Sequence, residues 1–337
     1  MNSDTVWDSA PKLYRIVAAQ LESKLGGDQV LASADLGKAA ARQRKHWDRK
    51  WIPYVLLAPA LITIFVIILS PLATTIYYSF SNIDLIRDRT TFVGIDNYLE
   101  LFSSRLFWKA VEVNLKFAAI VVTVPTLIGL FFALLLVENF KGRSIGRTLL
   151  ILPWALPWIV VGLLWNWVVN AQFGALNGLL YTLGLIDKYI PFMANEDWAL
   201  VFTAMASAWR QTSFSAILLL AALQTIPEDL YDAAKVDGAG MQARFRFITF
   251  AWLRPTLTIV LLYNVVLGFL QFDAVWIMTQ GGPGDATMLI SVLLYRYTFI
   301  NFDLGMGAAV SNVLGLITMG VGLIFVRLIY RSHTTYA

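Results

Sequence analysis

Six long apolar runs constrain this chain more than any other feature of its sequence. They lie at about 52–80, 110–137, 148–169, 199–223, 255–277 and 304–330, with polar connections between them. Each run is close to or above the roughly 20 residues with which an α-helix crosses a bilayer. Charged residues make up only 14% of the chain, against about 25% in a soluble domain. The sequence therefore predicts an all-α polytopic membrane protein with six transmembrane helices.

The distribution of lysine and arginine predicts how these helices are oriented. Eighteen of the 26 basic residues lie in segment 1–51, in the connections 138–147 and 224–254, and at the C-terminal end, whereas only six lie in the other three connections. Because basic residues stay on the cytoplasmic side, we expect both termini and residues 224–254 in the cytoplasm. The chain then divides into a basic N-terminal segment (1–51), a six-helix core (52–330) and a tail (331–337).

The N-terminal segment precedes the first apolar run, which begins near Ile52. A secretory signal carries its apolar core within about 15–30 residues of the start, so no cleavable signal is expected. The nine basic residues of the segment are typical of a solvated tail that fixes topology, or of a tail that binds a regulatory partner.

The residue types in this chain argue against an enzyme. The two histidines, His46 and His333, lie in the polar terminal regions, and there is no cysteine. This set cannot build a Ser–His pair, a Cys–His pair or a His-rich metal site at membrane depth. The sequence also lacks a G-x-x-x-x-G-K-[ST] phosphate loop. We expect no catalytic residue, bound metal, cofactor or nucleic-acid partner, with lipid around the chain and any ATP-driven work done by another subunit.

A polar stretch between the fourth and fifth apolar runs, residues 225–255, has the pattern of two short helices joined by a turn. Thr225 and Glu228 have the spacing of a capping box at the start of the first helix. Gly238 is the expected left-handed residue that ends it. A second amphipathic helix follows, and Pro255 opens the fifth apolar run.

The first of these two helices presents one mostly apolar face. Its members follow helical spacing, and they are Ile226, Leu230, Ala233, Ala234 and Asp237. Two short helices held at a membrane surface form a protrusion. We therefore expect a partner protein to bind this face.

Polar side chains inside two predicted spans mark a candidate ligand path, because such groups are costly in lipid and tend to face a cavity or a partner. Asn264 and Gln271 are seven residues apart, so they share a helix face and can line one cavity. Arg210 and Asp273 are expected either to form a buried ion pair or to contact the ligand. The candidate substrate-binding residues are Trp209, Arg210, Gln211, Ser213, Asn264, Gln271 and Asp273.

This mixture of residue types suits a carbohydrate, because aromatic rings stack on sugar faces while amides and charges bond to hydroxyl groups. Four tryptophans of the third span are instead expected to anchor the helix at the membrane interfaces. They are Trp154, Trp158, Trp165 and Trp167.

The last span carries Gly307, Ser311 and Gly315 at four-residue spacing. Small residues let helices approach closely in lipid. This stripe packs either within the chain's own bundle or against a partner chain.

Residues 225–255 resemble the EAA loop of binding-protein-dependent ABC importer permeases. The matching positions are Asp232-Ala233-Ala234, Asp237-Gly238-Ala239, Phe245, Ile248 and Pro255. The chain departs from the pattern where Asp232 replaces the leading glutamate and Ala251 replaces the first proline. The aspartate keeps the charge but is one methylene shorter, so an ionic contact with a partner arginine would be closer.

Other segments are similar to the carbohydrate branch of this family, the maltose-type and glycerol-phosphate-type permeases. They are Tyr54–Ala60, Phe92–Tyr98, and Phe272–Asp273 together with Gly281–Gly284. The resemblance implies a type I ABC importer permease fold in the bacterial inner membrane. Two six-helix permeases, usually non-identical, would sit on a dimer of ATP-binding subunits that hold ATP and Mg²⁺. An extracytoplasmic substrate-binding protein would deliver the substrate.

The resemblance also implies which residues couple transport to ATP hydrolysis. The family's coupling helix corresponds to residues 226–239 and would dock in a groove of the ATPase. The coupling residues assigned in this way are Glu228, Leu230, Asp232, Ala233, Ala234, Asp237, Gly238 and Ala239. In that family the substrate lies near mid-membrane on the helices equivalent to the fourth and fifth spans, where the polar residues cluster.

An ion-gradient-driven secondary transporter is the main alternative. Few carboxylates lie in the predicted spans, and Asp273 alone would make a thin ion relay. A receptor or structural membrane protein would account for six spans but not for the motif at 225–255. The expected substrate is a neutral sugar, oligosaccharide or polyol, while Arg210 leaves an anionic sugar derivative or glycerol phosphate open.

Overall fold

Helices make up most of the protein in the computed structural model, which describes residues 52–84 and 89–333. The predicted basic segment 1–51 lies outside the described residues, as does the end of the predicted tail. Residues 52–72 form one unit, and the chain from Ala73 onward forms a second. The packing described below is that of the second unit.

The elements follow one another along the chain with short connections. In order they are α1 (Ile52–Ile64, a π turn at Phe65–Leu69, and Ser70–Ser79), β1 (Ser81–Asp84), β2 (Arg89–Phe92), α2 (Asp96–Ser103), α3 (Arg105–Val137), α4 (Arg143–Ala155), α5 (Trp158–Val168), α6 (Ala175–Thr182), α7 (Glu196–Leu223), α8 (Glu228–Val236), α9 (Met241–Arg244, a π turn at Phe245–Thr249, and Phe250–Leu270), α10 (Asp273–Thr279), α11 (Ile290–Tyr295 with a π turn at Arg296–Ile300) and α12 (Leu304–His333). A single 3-10 turn, Phe192–Ala194, precedes α7.

Four of these helices, α1, α3, α9 and α12, are long and apolar enough to cross a membrane. The pairs α4–α5 and α7–α8 meet the same criterion as bent helices, with bends of 102° and 66°. The described residues therefore contain up to six spans, which confirms the predicted all-α membrane architecture. The cytoplasmic placement of the two termini stays a prediction.

Helix capping extends two of the helices beyond the apolar runs that predict them. α3 begins at Arg105 rather than 110, because the Ser104 hydroxyl accepts a hydrogen bond from the Phe107 amide at 3.4 Å. Asn195 caps α7 in the same way, 3.1 Å from the Trp198 amide. α3 has 33 residues and is about 50 Å long, which exceeds the ~30 Å hydrocarbon core. Part of it therefore projects from the membrane.

A β-hairpin, which the sequence does not predict, occupies the connection after α1. β1 and β2 are antiparallel, with Ser81 opposite Phe92. The Asn97 side chain donates to the carbonyl groups of Ser79 and Ser81 at 2.9 and 3.0 Å. This amide therefore holds the start of the hairpin against α2.

Tyr98 joins the same region to the last helix. Its hydroxyl donates to Ser79 Oγ at 2.8 Å and accepts from Asn312 Nδ2 of α12 at 3.2 Å. The Phe92–Tyr98 motif thus anchors the connection after α1 on α12.

Close helix contacts in the bundle occur where one partner is glycine. A Cβ atom at Gly129 of α3 would lie 2.8 Å from the Cβ of Ser215 in α7. One at Gly307 of α12 would lie 2.1 Å from Thr298 Oγ1, whereas nothing lies within 4 Å of one at Gly315. The small-residue stripe of the last helix is therefore divided, with Gly307 packed inside this chain and Gly315 open.

The variant Gly129→Leu is expected to lower the free energy of unfolding by about 2 kcal/mol, because the added side chain must separate α3 from α7. Thermal unfolding of the purified protein in one detergent measures this effect. Gly315→Leu is the matched control, since a Cβ there meets no neighbour within 4 Å. Equal unfolding temperatures for the two variants would contradict the packing described here.

Candidate functional site

The third predicted span is a broken helix. α4 ends at Ala155, Leu156 is extended, and α5 begins at Trp158 after a bend of 102°. Pro157 has no N–H group and restricts the residue before it to extended conformations. The break leaves backbone carbonyl groups of α4 without helical partners, and in a membrane such groups need partners from within the protein.

Arg210 of α7 supplies one of these partners. Its Nε donates to the Leu156 carbonyl at 2.9 Å. Its guanidinium carbon lies 4.1 Å from the centre of the Trp158 ring, at the start of α5. A cation is favourable both at a helix C-terminus and over an aromatic face. Arg210 therefore contacts both sides of the break.

The predicted ion pair between Arg210 and Asp273 is not formed. In the part of the chain that the structure describes, the ion pairs are Lys116–Glu112, Lys235–Asp232 and Arg296–Asp285. Asp273 instead occupies the first turn of α10, where the helix dipole favours a carboxylate. Arg210 is half-buried, and its two terminal nitrogens donate to no described residue.

Aromatic rings from three helices pack together one turn from Arg210. Phe214, one turn further along α7, stacks on Trp154 of α4 with 6.2 Å between ring centres and lies 4.1 Å from the Tyr263 ring of α9. We call Arg210 and these rings, together with Trp158, the Arg210 cluster. Phe214 and Tyr263 are not among the predicted site residues, although the four-residue spacing of Phe214 from Arg210 is a signal that they share a helix face.

The fifth predicted span, 255–277, is not one helix. α9 begins at Met241 and ends at Leu270, Gln271 is extended, and α10 starts at Asp273. The second amphipathic helix of the sequence prediction is therefore the first part of α9. At 30 residues, α9 is about 45 Å long. It is therefore long enough to cross the membrane before residues 271–277, which the predicted span had included.

Side chains from neighbouring elements also satisfy the backbone at this second break. The Ser291 hydroxyl of α11 donates to the Gln271 carbonyl. Asn114 of α3 donates to the Gly268 carbonyl at 3.5 Å and accepts from the Ile290 amide at 3.2 Å. The end of α9 is thus fixed to α3 and α11.

Asn264 and Gln271 do not line one helix face, because Gln271 is extended rather than helical. Both are buried. The Asn264 Nδ2 donates to Thr126 Oγ1 at 3.2 Å and to Ser215 Oγ at 3.1 Å. This amide therefore joins α9 to α3 and α7.

Among the predicted substrate residues, Gln211 has a side-chain amide whose two polar atoms are fully buried and unpaired within residues 52–84 and 89–333. It is 1% exposed, and neither its Oε1 nor its Nε2 has a hydrogen-bond partner. Leaving such a group unpaired costs about 1–3 kcal/mol. The amide therefore has the capacity to bond to water or to a polar ligand.

The other predicted substrate residues differ in exposure. Ser213 is buried, whereas Trp209 and Asp273 are half-buried. The Trp209 ring packs on Trp165 of α5 with 6.2 Å between ring centres. The predicted set is therefore distributed over α7, α9 and α10, around both helix breaks.

The 224–254 connection contains α8 and the first turns of α9. Gly238 has φ +76° and follows the end of α8, which confirms the predicted left-handed turn. The predicted capping box is not formed. Thr225 Oγ1 instead donates to the Ala222 carbonyl at 2.8 Å and accepts from Trp252 Nε1 at 3.0 Å, because the end of α7 offers carbonyl groups that lack helical partners.

Two contacts hold α8 against the rest of the protein. The hydroxyl groups of Tyr231 and Thr249 lie 2.8 Å apart. Ile226 is only 8% exposed and packs among apolar residues of α3, α7 and α9. It therefore does not belong to the face that α8 presents to a partner, contrary to the sequence prediction, whereas Leu230 and Ala233 are exposed.

The rest of α8 and its turn form a mixed acidic and apolar surface. Glu228, Asp232, Asp237 and Gly238 are exposed, and Ala234 and Ala239 are half-buried. Asp232 forms an ion pair with Lys235 at 2.8 Å. Val236 and Met241 are 88% and 81% exposed. The α8 turn therefore exposes apolar side chains beside charged ones.

A metal centre is not part of either region. No group of three or more histidine, aspartate or glutamate side chains that could hold a metal ion occurs among the described residues.

A family model for the binding-protein-dependent transport system inner membrane component matches residues 125–333. The chain is 34% identical over 274 residues to the trehalose/maltose transport system permease protein MalF of Thermococcus litoralis, covering 81% of this chain and 92% of the relative. It is 33% identical over 295 residues to the sulfoquinovosyl glycerol transport system permease protein SmoG of Agrobacterium fabrum, covering 86% and 95%.

A solved structure has a similar fold. It is a bacterial alginate ABC transporter in complex with an alginate pentasaccharide-bound periplasmic protein, and one of its chains matches with a TM-score of 0.71 and 21% identity over 83% of this chain and 94% of that one. The family match covers both helix breaks and the whole of α8. The chain therefore belongs to the binding-protein-dependent transport system inner membrane components, and it is a permease subunit of an ABC importer rather than an enzyme.

Proposed function

We propose that the importer to which this permease belongs takes up a carbohydrate, and that the Arg210 cluster contacts it. The observation that carries this proposal is the combination of aromatic rings, a cation and an unpaired amide around a helix break. Irregular backbone at membrane depth is tolerated where it lines a cavity or is buried in protein. Relatives named for trehalose/maltose and sulfoquinovosyl glycerol transport support a carbohydrate.

The proposed path uses the predicted substrate residues in two groups. Trp209, Arg210 and Asp273 are half-buried and would meet the substrate first. The buried residues Gln211, Ser213, Asn264 and Gln271 would come into contact with it when the helices around the two breaks move.

We propose three kinds of partner protein for this permease. A dimer of ATP-binding subunits, which would hold ATP and Mg²⁺, docks on the α8 surface as a helix-in-groove contact. A second permease, usually of a different sequence, completes the path, and an extracytoplasmic binding protein delivers the carbohydrate. Both termini would then be cytoplasmic in a bacterial inner membrane.

The geometry supports a mechanical route between the two sites. Arg210 lies 13 residues before the end of α7, about 20 Å along a continuous helix. α7 leads into α8, so a displacement of α8 by the ATPase would act on the break that Arg210 holds. A loaded binding protein would favour the outward-facing state only by the difference in its affinity for the two states.

The assembled complex is expected to hydrolyse ATP faster when its binding protein carries the correct carbohydrate. The measurement is ATPase activity of the complex purified in lipid, with and without the binding protein, across a panel of neutral and anionic carbohydrates. If no ATP-binding subunit co-purifies and transport follows an ion gradient, the chain is a secondary transporter and the proposal is wrong.

The variant Asp232→Lys is expected to lower the stimulated ATPase rate by about 10-fold, because it reverses a charge in the proposed contact with the ATPase. Asp187→Lys is the matched control, since Asp187 is also an exposed aspartate but lies in the connection predicted to be outside the cell. A similar rate for both variants would remove Asp232 from the coupling contact.

A further inference from the structure

We propose that the Arg210 cluster selects a carbohydrate that carries an oxyanion, namely a carboxylate, sulfonate or phosphate group. This inference rests on the proposed function and names the substrate class of the same site. It depends on how little of the hydrogen-bonding capacity and charge of Arg210 the protein itself uses.

The guanidinium group of Arg210 has five N–H donors, and one of them is bonded within residues 52–84 and 89–333. That donor is Nε, bonded to the Leu156 carbonyl. The four remaining N–H groups belong to the two terminal nitrogens. Neither nitrogen donates to a described residue, and neither is among the fully buried unpaired atoms. Two parallel N–H groups of a guanidinium match the two oxygens of an oxyanion.

The positive charge of Arg210 also lacks a full counter-charge. Its described neighbours are a backbone carbonyl at the C-terminus of α4 and the Trp158 ring, which provide only partial negative charge. No carboxylate within the described ranges forms an ion pair with it. A half-buried cation at membrane depth is costly unless it is paired, so an anionic ligand gains more here than a neutral one.

The surroundings of the guanidinium fit the sugar part of such a ligand. The rings of Trp154, Phe214 and Tyr263 form a continuous aromatic row across α4, α7 and α9, and Phe214 lies one turn from Arg210 on α7. Gln211, the next residue of α7, is buried with both amide atoms unpaired, so it would bond to hydroxyl groups when the helices around the break move. The site therefore offers a contact for charge and separate contacts for a ring with hydroxyl groups.

The test uses the whole complex with its binding protein in lipid vesicles. The probes share one ring and differ at one carbon: D-glucose, D-glucuronate, sulfoquinovose and D-glucose 6-phosphate, each free and as its α-glycoside with glycerol. At least one anionic member is expected to stimulate ATP hydrolysis and to be taken up about 10-fold better than the neutral sugar. Which member does so distinguishes carboxylate, sulfonate and phosphate.

Two variants separate the charge of Arg210 from its role at the helix break. Arg210→Gln keeps an N–H donor for the Leu156 carbonyl but removes the charge, and it is expected to reduce uptake of the anionic sugar by about 100-fold. Arg210→Lys keeps the charge but not the planar fork, and it is expected to reduce uptake by only about 10-fold. Uptake of the neutral counterpart is expected to change less than about 3-fold in both variants, because it does not depend on the charge.

Three results would overturn the inference. Stimulation by neutral sugars alone would contradict it while leaving the proposed function intact. So would an equal loss of neutral and anionic uptake in Arg210→Gln, which would show that Arg210 acts only on the fold of the break. If no carbohydrate of either kind stimulates the complex, the proposed function fails and this inference fails with it.

Discussion

Interrupting a helix inside a membrane leaves backbone carbonyl groups that lipid cannot hydrogen-bond, and this constraint organises the centre of the protein. The two interruptions, at Leu156–Pro157 and at Gln271–Phe272, are both closed by polar side chains from other helices. Arg210 of α7 bonds at the first, and Ser291 of α11 bonds at the second. Neither broken helix supplies these partners itself. The breaks are therefore properties of the assembled bundle, and residues that are costly in an isolated span make the irregular backbone stable.

The same side chains link regions that are distant in the sequence. Arg210 connects the break in the third span to α7, and α7 leads directly to α8. Near its start α8 is fastened by the Tyr231–Thr249 contact and by the burial of Ile226, which directly precedes the helix. A force applied to α8 therefore meets a helix whose first half is held against the bundle rather than a loose loop. Coupling over this distance needs an element with two arrangements that both sites can bias, and a broken helix held by one side chain from α7 is such an element.

The sequence predicted the features that depend on local chemistry and failed where tertiary contacts decide. Apolar runs were sufficient for the architecture of up to six spans, and Gly238 could be placed because its turn needs a left-handed residue. The capping box at Thr225 fitted its pattern, but the Ala222 carbonyl at the end of α7 accepts the hydrogen bond of the same hydroxyl. The break after Leu270 carries no proline, and the nearby Gly268 is still helical. α9 begins at Met241, outside the apolar run, so the apolar run alone does not show where this helix ends.

The predicted substrate residues differ in how many of their hydrogen-bond donors are already bonded within the protein. This difference separates residues that hold helices together from residues that can contact a ligand. Asn264 gives both amide hydrogens to Thr126 and Ser215, so its Nδ2 group holds three helices together, while its Oδ1 accepts no hydrogen bond from a described residue. Arg210 and Gln211 leave most or all of their donors free. A ligand shifts a conformational equilibrium only through interactions that differ between the two states. Donors that are already bonded inside the bundle have little to offer in such a difference, whereas unused donors beside a helix break can bond to a substrate in one state and lose that bond in the other. Selectivity and coupling would then depend on the same few atoms.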